Sequence, residues 1–225
     1  MEDLEGIWER LNLNKDDNTL IYLQLEDLEK ISSRGKCSLV GKVCSNRKIG
    51  REAVYSTMMK IWKVSKPLSF VEIRPNTFVI TFVNQGDRRR KMEGCPWLFE
   101  NHMFVLKLFD ELSQPNSINF DVASMWVQMH KMPLGCMTRQ TGVLIGSSVG
   151  NVLEVDALED DVRWGNYLRV KKYMDLRKII ARGRIMNLEG QKMWVPFVYE
   201  KLPKMCFKCK CILHGEMRCA RQGLK

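Results

Sequence analysis

The sequence predicts an α+β protein with two sheet-containing units followed by a small cysteine-rich module. Short runs of apolar or alternating residues, typical of strands, are interspersed with segments whose apolar residues recur at helical spacing. A polar stretch, ELSQPNSIN, divides these elements into two groups, and 225 residues are enough for each group to bury a core. Four of the eight cysteines fall between Cys206 and Cys219.

The composition is typical of a globular protein, with 45% hydrophobic and 28% charged residues. No apolar run approaches the roughly 18 residues that a membrane span needs. The N-terminus is acidic and contains no apolar segment, so we expect no secretory signal, no membrane partner, an intracellular location and reduced cysteines. Residues 1–32 are predicted to form an acidic, partly helical lead-in, because apolar residues recur at helical spacing at Leu4, Ile7, Trp8 and Leu11.

The first unit is predicted to span residues 33–111. CSLVGKV is a strand, GREAVYSTMMKIWKV is a helix, and LSFVEIRPNTFVITFVN forms two strands that turn at Pro75-Asn76. A second helix follows, from Asp87 as its cap to about Gly94, and HMFVLKLFD is the last strand. The order β-α-β-β-α-β matches a ferredoxin-like sandwich.

The second unit is predicted over residues 120–203, after a linker at 112–119. SMWVQMHKMP is a strand, and TRQTGVLIGSSVG is a helix with Thr138 as its cap. NVLEVDALED and GNYLRVKKYMDL are strands, and the segment ARGRIMNLEGQKMWVPFVYEKLP is a hairpin that turns at Glu189-Gly190. This unit is smaller and rich in sheet, and no long internal repeat is visible in the sequence.

The module at residues 204–221 has the spacing of a zinc site. Two residues separate Cys206 from Cys209, four separate Cys209 from His214, and four separate His214 from Cys219. Zinc takes four N or S ligands in a tetrahedron, and one tight loop with this spacing can supply them. Because the segment is too short to bury a core, the metal would supply its folding free energy. In zinc-finger peptides this contribution is about 10–16 kcal/mol.

Two other interpretations of the cluster remain open. It could be a redox CxxC pair, but such pairs usually follow a strand and open a helix, whereas Cys206-x-x-Cys209 runs into a basic tail. It could also be two unrelated cysteine pairs near a surface histidine. The remaining cysteines are predicted to be small buried apolar residues: Cys37, Cys44, Cys95 and Cys136.

The segments GCPWLFENHMFVLKLFD and WVQMHKMP, together with the cysteine module, carry a resemblance over about residues 33–220. The chain resembles plant proteins related to LINE-type retrotransposons, in which a domain of unknown function (DUF4283) with an RNA-recognition-motif-like (RRM-like) fold precedes a CCHC zinc knuckle. The resemblance implies zinc and nucleic-acid binding. It gives Cys206, Cys209, His214 and Cys219 as ligands and Phe207 as the aromatic that stacks on a nucleobase.

The module departs from the retroviral knuckle pattern at two positions. Lys210 follows the second cysteine and Leu213 precedes the histidine, where glycines are usual. Because glycine relieves a tight loop, these residues could strain or weaken the site. Cys211 is an extra thiol that could replace a ligand or oxidise. Phe207 could alternatively pack over the metal loop.

RRM domains stack bases on aromatic residues of their central strands. In TFVITFV, one face carries Phe78, Ile80 and Phe82 and the other carries threonine and valine. We expect the more hydrophobic phenylalanine face to point inward, which would leave the first unit without a stacking platform.

The chain has a net charge of +10, concentrated at its C-terminal end, where residues 163–225 contain sixteen Lys/Arg and four Asp/Glu. This distribution suits a polyanionic partner. The expected phosphate contacts lead along the sequence toward the knuckle and its Phe207 ring: Lys171, Lys172, Arg177, Lys178, Arg182, Arg184, Lys201, Lys204, Lys208 and Lys210. The run Arg88–Lys91 is expected to be a solvated helix surface rather than a phosphate site.

These observations favour a non-enzymatic protein that binds zinc and single-stranded RNA or DNA with little sequence preference. The alternative is a protein-interaction or self-association module, in which the acidic lead-in pairs with the basic end of another copy. No phosphate-cradling glycine motif, paired-carboxylate signature or nucleophile with a base is visible, so we expect neither catalysis nor a small-molecule substrate.

Overall fold

The computed structural model describes residues 20–22, 24, 29, 32–64, 66–158, 161–214 and 219. The helical pattern predicted for the lead-in, Leu4 to Leu11, lies outside the described residues. Within those ranges no helix has the length and hydrophobicity needed to cross a membrane.

The first unit contains a five-stranded antiparallel sheet. Its strands lie in the order β2-β3-β1-β5-β4, and its elements are β1 (Ser38–Val43), α1 (Arg51–Trp62), β2 (Ser69–Arg74), β3 (Thr77–Thr81), α2 (Gln85–Glu93), β4 (Trp97–Phe99) and β5 (His102–Leu108). Apart from the short edge strand β4, which the sequence did not predict, this is the ferredoxin-like order, so the predicted fold is confirmed.

The cap predicted for α2 is wrong. The helix begins two residues earlier, at Gln85, and its cap is Asn84. The Asn84 side chain accepts a hydrogen bond of 2.8 Å from the Asp87 N–H. Asp87 lies inside the first turn, where its carboxylate accepts a hydrogen bond from the Asn84 amide, because an acidic side chain at the third helical position can bond back to the cap.

The core of the first unit is aromatic and lies between the helices and one face of the sheet. Trp62, at the end of α1, is 2% exposed and contacts the rings of Phe70, Phe82, Trp97 and Phe104 at centroid distances of 5.9–6.2 Å. Phe78 and Ile80 of β3 are fully buried in the same cluster. The expected inward orientation of the phenylalanine face is therefore confirmed.

The opposite face of the first sheet is partly covered by the second unit. Val40, Met103 and Val105 belong to one buried cluster with Phe120 and Ala123. The residues that share this face in β1, β2, β3 and β5 include no aromatic side chain. The surface on which RRM domains stack bases is therefore occupied near its centre and lacks aromatic rings.

The second unit is another five-stranded antiparallel sheet, in the order β7-β8-β6-β10-β9. It has as many strands as the first sheet, so the prediction that this unit is smaller is wrong. Its elements are β6 (Val122–His130), a 3-10 turn (Leu134–Cys136), α3 (Arg139–Ser147), β7 (Asn151–Asp156), β8 (Tyr167–Asp175), β9 (Gly183–Leu188) and β10 (Gln191–Tyr199). If the strands of each unit are numbered from one, both sheets have the strand order 2-3-1-5-4. The repeat is therefore present in the topology although no repeat is visible in the sequence.

Helix α3 packs closely against the second sheet. A Cβ at Gly142 would lie 2.8 Å from Val155, and one at Gly146 would lie 2.6 Å from Val152, so glycine is required for this approach. The predicted cap is confirmed, since the Thr138 hydroxyl accepts a hydrogen bond of 3.1 Å from the Thr141 N–H. Residues 176–182, all of them described, form no helix between β8 and β9.

Candidate metal centre and nucleic-acid interface

The structure brings the four predicted ligand atoms together. One ligand atom from each of Cys206, Cys209, His214 and Cys219 lies within 4.8 Å of the other three. The Cys206 and Cys219 sulfurs are 3.9 Å apart, and Cys209 Sγ is 3.1 Å from His214 Nε2. Zinc–sulfur bonds of about 2.3 Å in a tetrahedron place two sulfurs about 3.8 Å apart. The donor set and its spacing therefore fit a tetrahedral metal ion.

Backbone hydrogen bonds fold the metal loop into a tight turn. The Lys210 N–H donates to the Cys206 carbonyl at 2.7 Å, and the Cys206 N–H donates to the Cys211 carbonyl at 2.9 Å. The backbone N–H groups of Cys209 and Lys208 lower the pKa of the Cys206 thiol to about 6. Because a thiolate is the form that binds metal, this turn prepares Cys206 as a ligand.

Lys210 occupies a backbone conformation that favours glycine. Its φ angle is 61°, in the left-handed region that is unfavourable for residues with a Cβ. This is the position at which retroviral knuckles usually have glycine, so the tight turn is retained here with a lysine at the cost of local strain.

Leu213 replaces the second usual glycine and attaches the module to the second unit. Its side chain, together with that of Ile212, packs against the buried cluster of that unit. The N–H groups of Ile212 and Leu213 both donate to the Leu176 carbonyl, at 3.0 and 2.8 Å, and the Ile180 N–H donates to the Lys210 carbonyl at 3.1 Å. The metal loop is therefore docked on the segment between β8 and β9.

Cys211 is not part of the ligand cluster. Its side chain is buried, and its thiol donates to the Cys209 carbonyl at 3.6 Å. Of the four cysteines predicted to be buried apolar residues elsewhere, Cys95 is buried, whereas Cys37, Cys44 and Cys136 are partly exposed.

Phe207 projects from the metal loop into solvent. It is 92% exposed, so it does not pack over the loop. Three of the predicted phosphate contacts are exposed close to it in sequence, at Lys204, Lys208 and Lys210. An exposed ring among cations has the composition of a surface that binds single-stranded nucleic acid.

The other predicted cations differ in how available they are to a ligand. Lys172 is instead fully buried; its ammonium donates to the Val149 carbonyl at 2.9 Å, and burial lowers its pKa to about 8. Arg184 donates to the Ser148 hydroxyl and carbonyl at 3.1 Å. Lys171 donates to the Glu93 carbonyl at 2.8 Å. Arg182 and Lys201 are exposed, although Lys201 also donates to the Pro96 carbonyl at 3.3 Å.

The basic run Arg88–Lys91 makes its contacts within the first unit. Arg90 pairs with Asp87 and Arg89 pairs with Glu93, and the Lys91 ammonium donates to the Trp62 carbonyl at 2.6 Å. The run therefore lies on a helix surface, and the expectation that it is not a phosphate site stays a prediction.

Sequence reasoning missed the residues that dock the metal loop. Leu176 and Ile180 are 1% and 7% exposed, and their backbone groups bond to the loop. The signal that could have found the docking is the apolar pair Ile212-Leu213, since apolar residues inside a short metal loop need a partner surface to bury against.

Comparison with known proteins agrees with this organisation. Residues 31–117 match the family described as a domain of unknown function, DUF4283. Residues 174–221 match the family described as a zinc knuckle. The second match begins at residue 174 rather than at the predicted 204, and so includes the β8–β9 segment on which the loop docks.

One curated relative is an uncharacterized protein of Arabidopsis thaliana, 26% identical over 125 residues. The match covers 55% of this chain and 39% of the relative. The crystal structure of the first two RRM domains of yeast poly(U) binding protein aligns with 60% of this chain and 81% of its own, at 12% identity and a TM-score of 0.25. By the two family matches, the chain carries a DUF4283 domain followed by a CCHC zinc knuckle, in the order that the family resemblance implied.

Proposed function

We propose that the protein binds single-stranded RNA or DNA with little sequence preference, through a knuckle that holds one zinc ion. The proposal depends on one observation: the loop that carries the metal-ligand cluster also carries the exposed Phe207 ring, with exposed lysines close to it in sequence at positions 204, 208 and 210. Phosphate contacts to such cations give affinity, and stacking on the ring is tolerant of base identity. The knuckle family and the basic C-terminal region support the same proposal.

Zinc would act structurally, held by Cys206, Cys209, His214 and Cys219. Its role is to fix the loop, because four protein ligands complete its coordination and leave no open position for substrate. The proposal therefore includes no catalytic activity. The retrotransposon-related origin belongs to the proposal as well, and it rests on the family resemblance.

The test is binding of zinc-loaded protein to fluorescent single-stranded oligonucleotides, measured by anisotropy over a range of salt concentrations. We expect binding that weakens as salt rises and that is lost in Cys209→Ser, which removes one ligand. Cys136→Ser is the matched control, because Cys136 is a partly exposed cysteine outside the cluster. This variant should bind as the wild type does.

Binding that is indifferent to Cys209→Ser, or no binding at low salt, would refute the proposal. Dimerisation that does not change with salt, in a protein that does not bind oligonucleotides, would instead favour self-association. Zinc stoichiometry measured on the same samples gives one ion per chain if the knuckle is formed.

A further inference from the structure

An apolar cleft lies between the knuckle and the end of β10. Its volume is about 490 Å³, within the range of about 300–1,000 Å³ that is usual for small-ligand pockets. The knuckle contributes Met205, Phe207 and Lys210 to its walls, and the second unit contributes Ile180, Phe197 and Leu202. Neither the knuckle nor the sheet forms this cleft alone.

The two walls are held in fixed positions by hydrogen bonds. The Ile180 N–H donates to the Lys210 carbonyl at 3.1 Å and joins the knuckle to the β8–β9 segment. The Phe197 N–H donates to the Arg182 carbonyl at 2.9 Å, and the Tyr199 hydroxyl donates to the Ala181 carbonyl at 2.8 Å. The cleft is therefore preorganised once the knuckle is folded.

The chemistry of the cleft fits a base with its phosphates. Among the described residues that line it, the charged ones are Arg182 and Lys210, both cations. Phe207 is 92% exposed and Leu202 is 40% exposed, so apolar surface is accessible from solvent. A nucleobase can bury its faces against such surface while the flanking phosphates meet the cations. An uncharged apolar peptide would leave both cations without a counter-charge.

We propose that this cleft binds one unpaired nucleobase, between the Phe207 ring and the apolar wall of the second unit, with adjoining phosphates at Arg182 and Lys210. The inference rests on the proposed function and deepens it. The knuckle and the second sheet unit form one binding site, and the sheet supplies half of the contact to the base.

The experiment compares two leucine variants on two ligands. Leu202→Asn places a polar group in the cleft without adding charge. Leu188→Asn is the matched control, because Leu188 is also 40% exposed and does not line the cleft. Each zinc-loaded protein is titrated with a single-stranded oligonucleotide and with an abasic strand of the same length, which keeps the phosphates and lacks the bases.

We expect Leu202→Asn to weaken binding of the base-containing strand at least about fivefold, since base stacking of this kind contributes that much or more. It should leave binding of the abasic strand unchanged, and Leu188→Asn should match the wild type on both. Phe207→Ala, which alters a ring that is 92% exposed, is a second variant that should show the same dependence on bases.

Wild-type affinity for Leu202→Asn, or an equal loss on both strands, would overturn the inference while leaving the proposed function intact. Failure of the wild-type protein to bind either strand would refute the proposed function itself. Unchanged zinc content and melting temperature confirm that each variant is folded.

Discussion

The first and second sheet units have the same strand order, but they complete their cores differently. In the first unit, the segment between the third and fourth strands folds as α2, whose Met92 packs against the core. In the second, the corresponding residues 176–182 form no helix, and the knuckle bonds to Leu176 and Ile180 instead. Ile212 and Leu213 of the knuckle then pack against the buried cluster of the second unit.

The two units therefore depend on different contacts for their stability. The first unit is held together by its own aromatic core, whereas part of the second unit's apolar surface is covered by a loop too short to fold without its metal. The surface that would bind bases in an RRM is partly covered in the first unit, whereas in the second unit a cleft is open where the knuckle docks.

Removal of zinc should affect the second unit and spare the first. The metal contributes about 10–16 kcal/mol to the folding of such a loop. After chelation we expect the amides of Ile180, Ile212 and Leu213 to lose their protection from hydrogen exchange, while those of β1 and β3 keep theirs. Equal loss of protection in both sheets would show that the first unit also depends on the metal.

Trp62→Ala should destabilise the first unit by about 3–5 kcal/mol, as expected for removal of a large buried aromatic side chain. The loss should be the same with and without chelator, because Trp62 packs within the first unit's own core. Denaturant unfolding measures this change in the free energy of unfolding. Trp164→Ala is the control, since Trp164 is 77% exposed and its removal should change stability by less than about 0.5 kcal/mol.

Leu213→Gly should weaken docking of the knuckle by about 1–2 kcal/mol, through loss of a partly buried leucine. Zinc should still bind, since glycine is the residue that retroviral knuckles usually have there. The readout is faster exchange of the Ile212 amide at unchanged zinc stoichiometry. Leu112→Gly, at a position 92% exposed, should leave that exchange unaltered.

Lys210→Gly should stabilise the zinc-bound loop by about 1 kcal/mol, because glycine adopts a positive φ without the cost that a side chain imposes. Competition with a zinc-binding dye would then show tighter zinc binding. Lys208→Gly removes the same charge at a residue without positive φ and should show no gain. Equal behaviour of the two variants would mean that Lys210 is not strained.

Much of the fold could be predicted because its signals are local. The Glu189-Gly190 turn of the second hairpin is confirmed, since both residues have the positive φ angles that a tight two-residue hairpin turn requires. The short strand β4 was missed because three residues give no periodic pattern, and the Asn84 cap was missed because Asp87 is an equally good capping residue. Lys172 was predicted to be exposed because charged residues usually are.

The spacing of Cys206, Cys209, His214 and Cys219 is enough to identify the candidate ligands, since a short loop fixes which side chains can meet. The alternation along β3 likewise determined which face of the first sheet is buried. Three features could be seen only in the folded chain: the two sheets share one strand order, the second covers part of the first, and Leu213 docks the knuckle beside a cleft. These features depend on contacts between residues far apart in the chain, and no local pattern of residue types specifies such contacts.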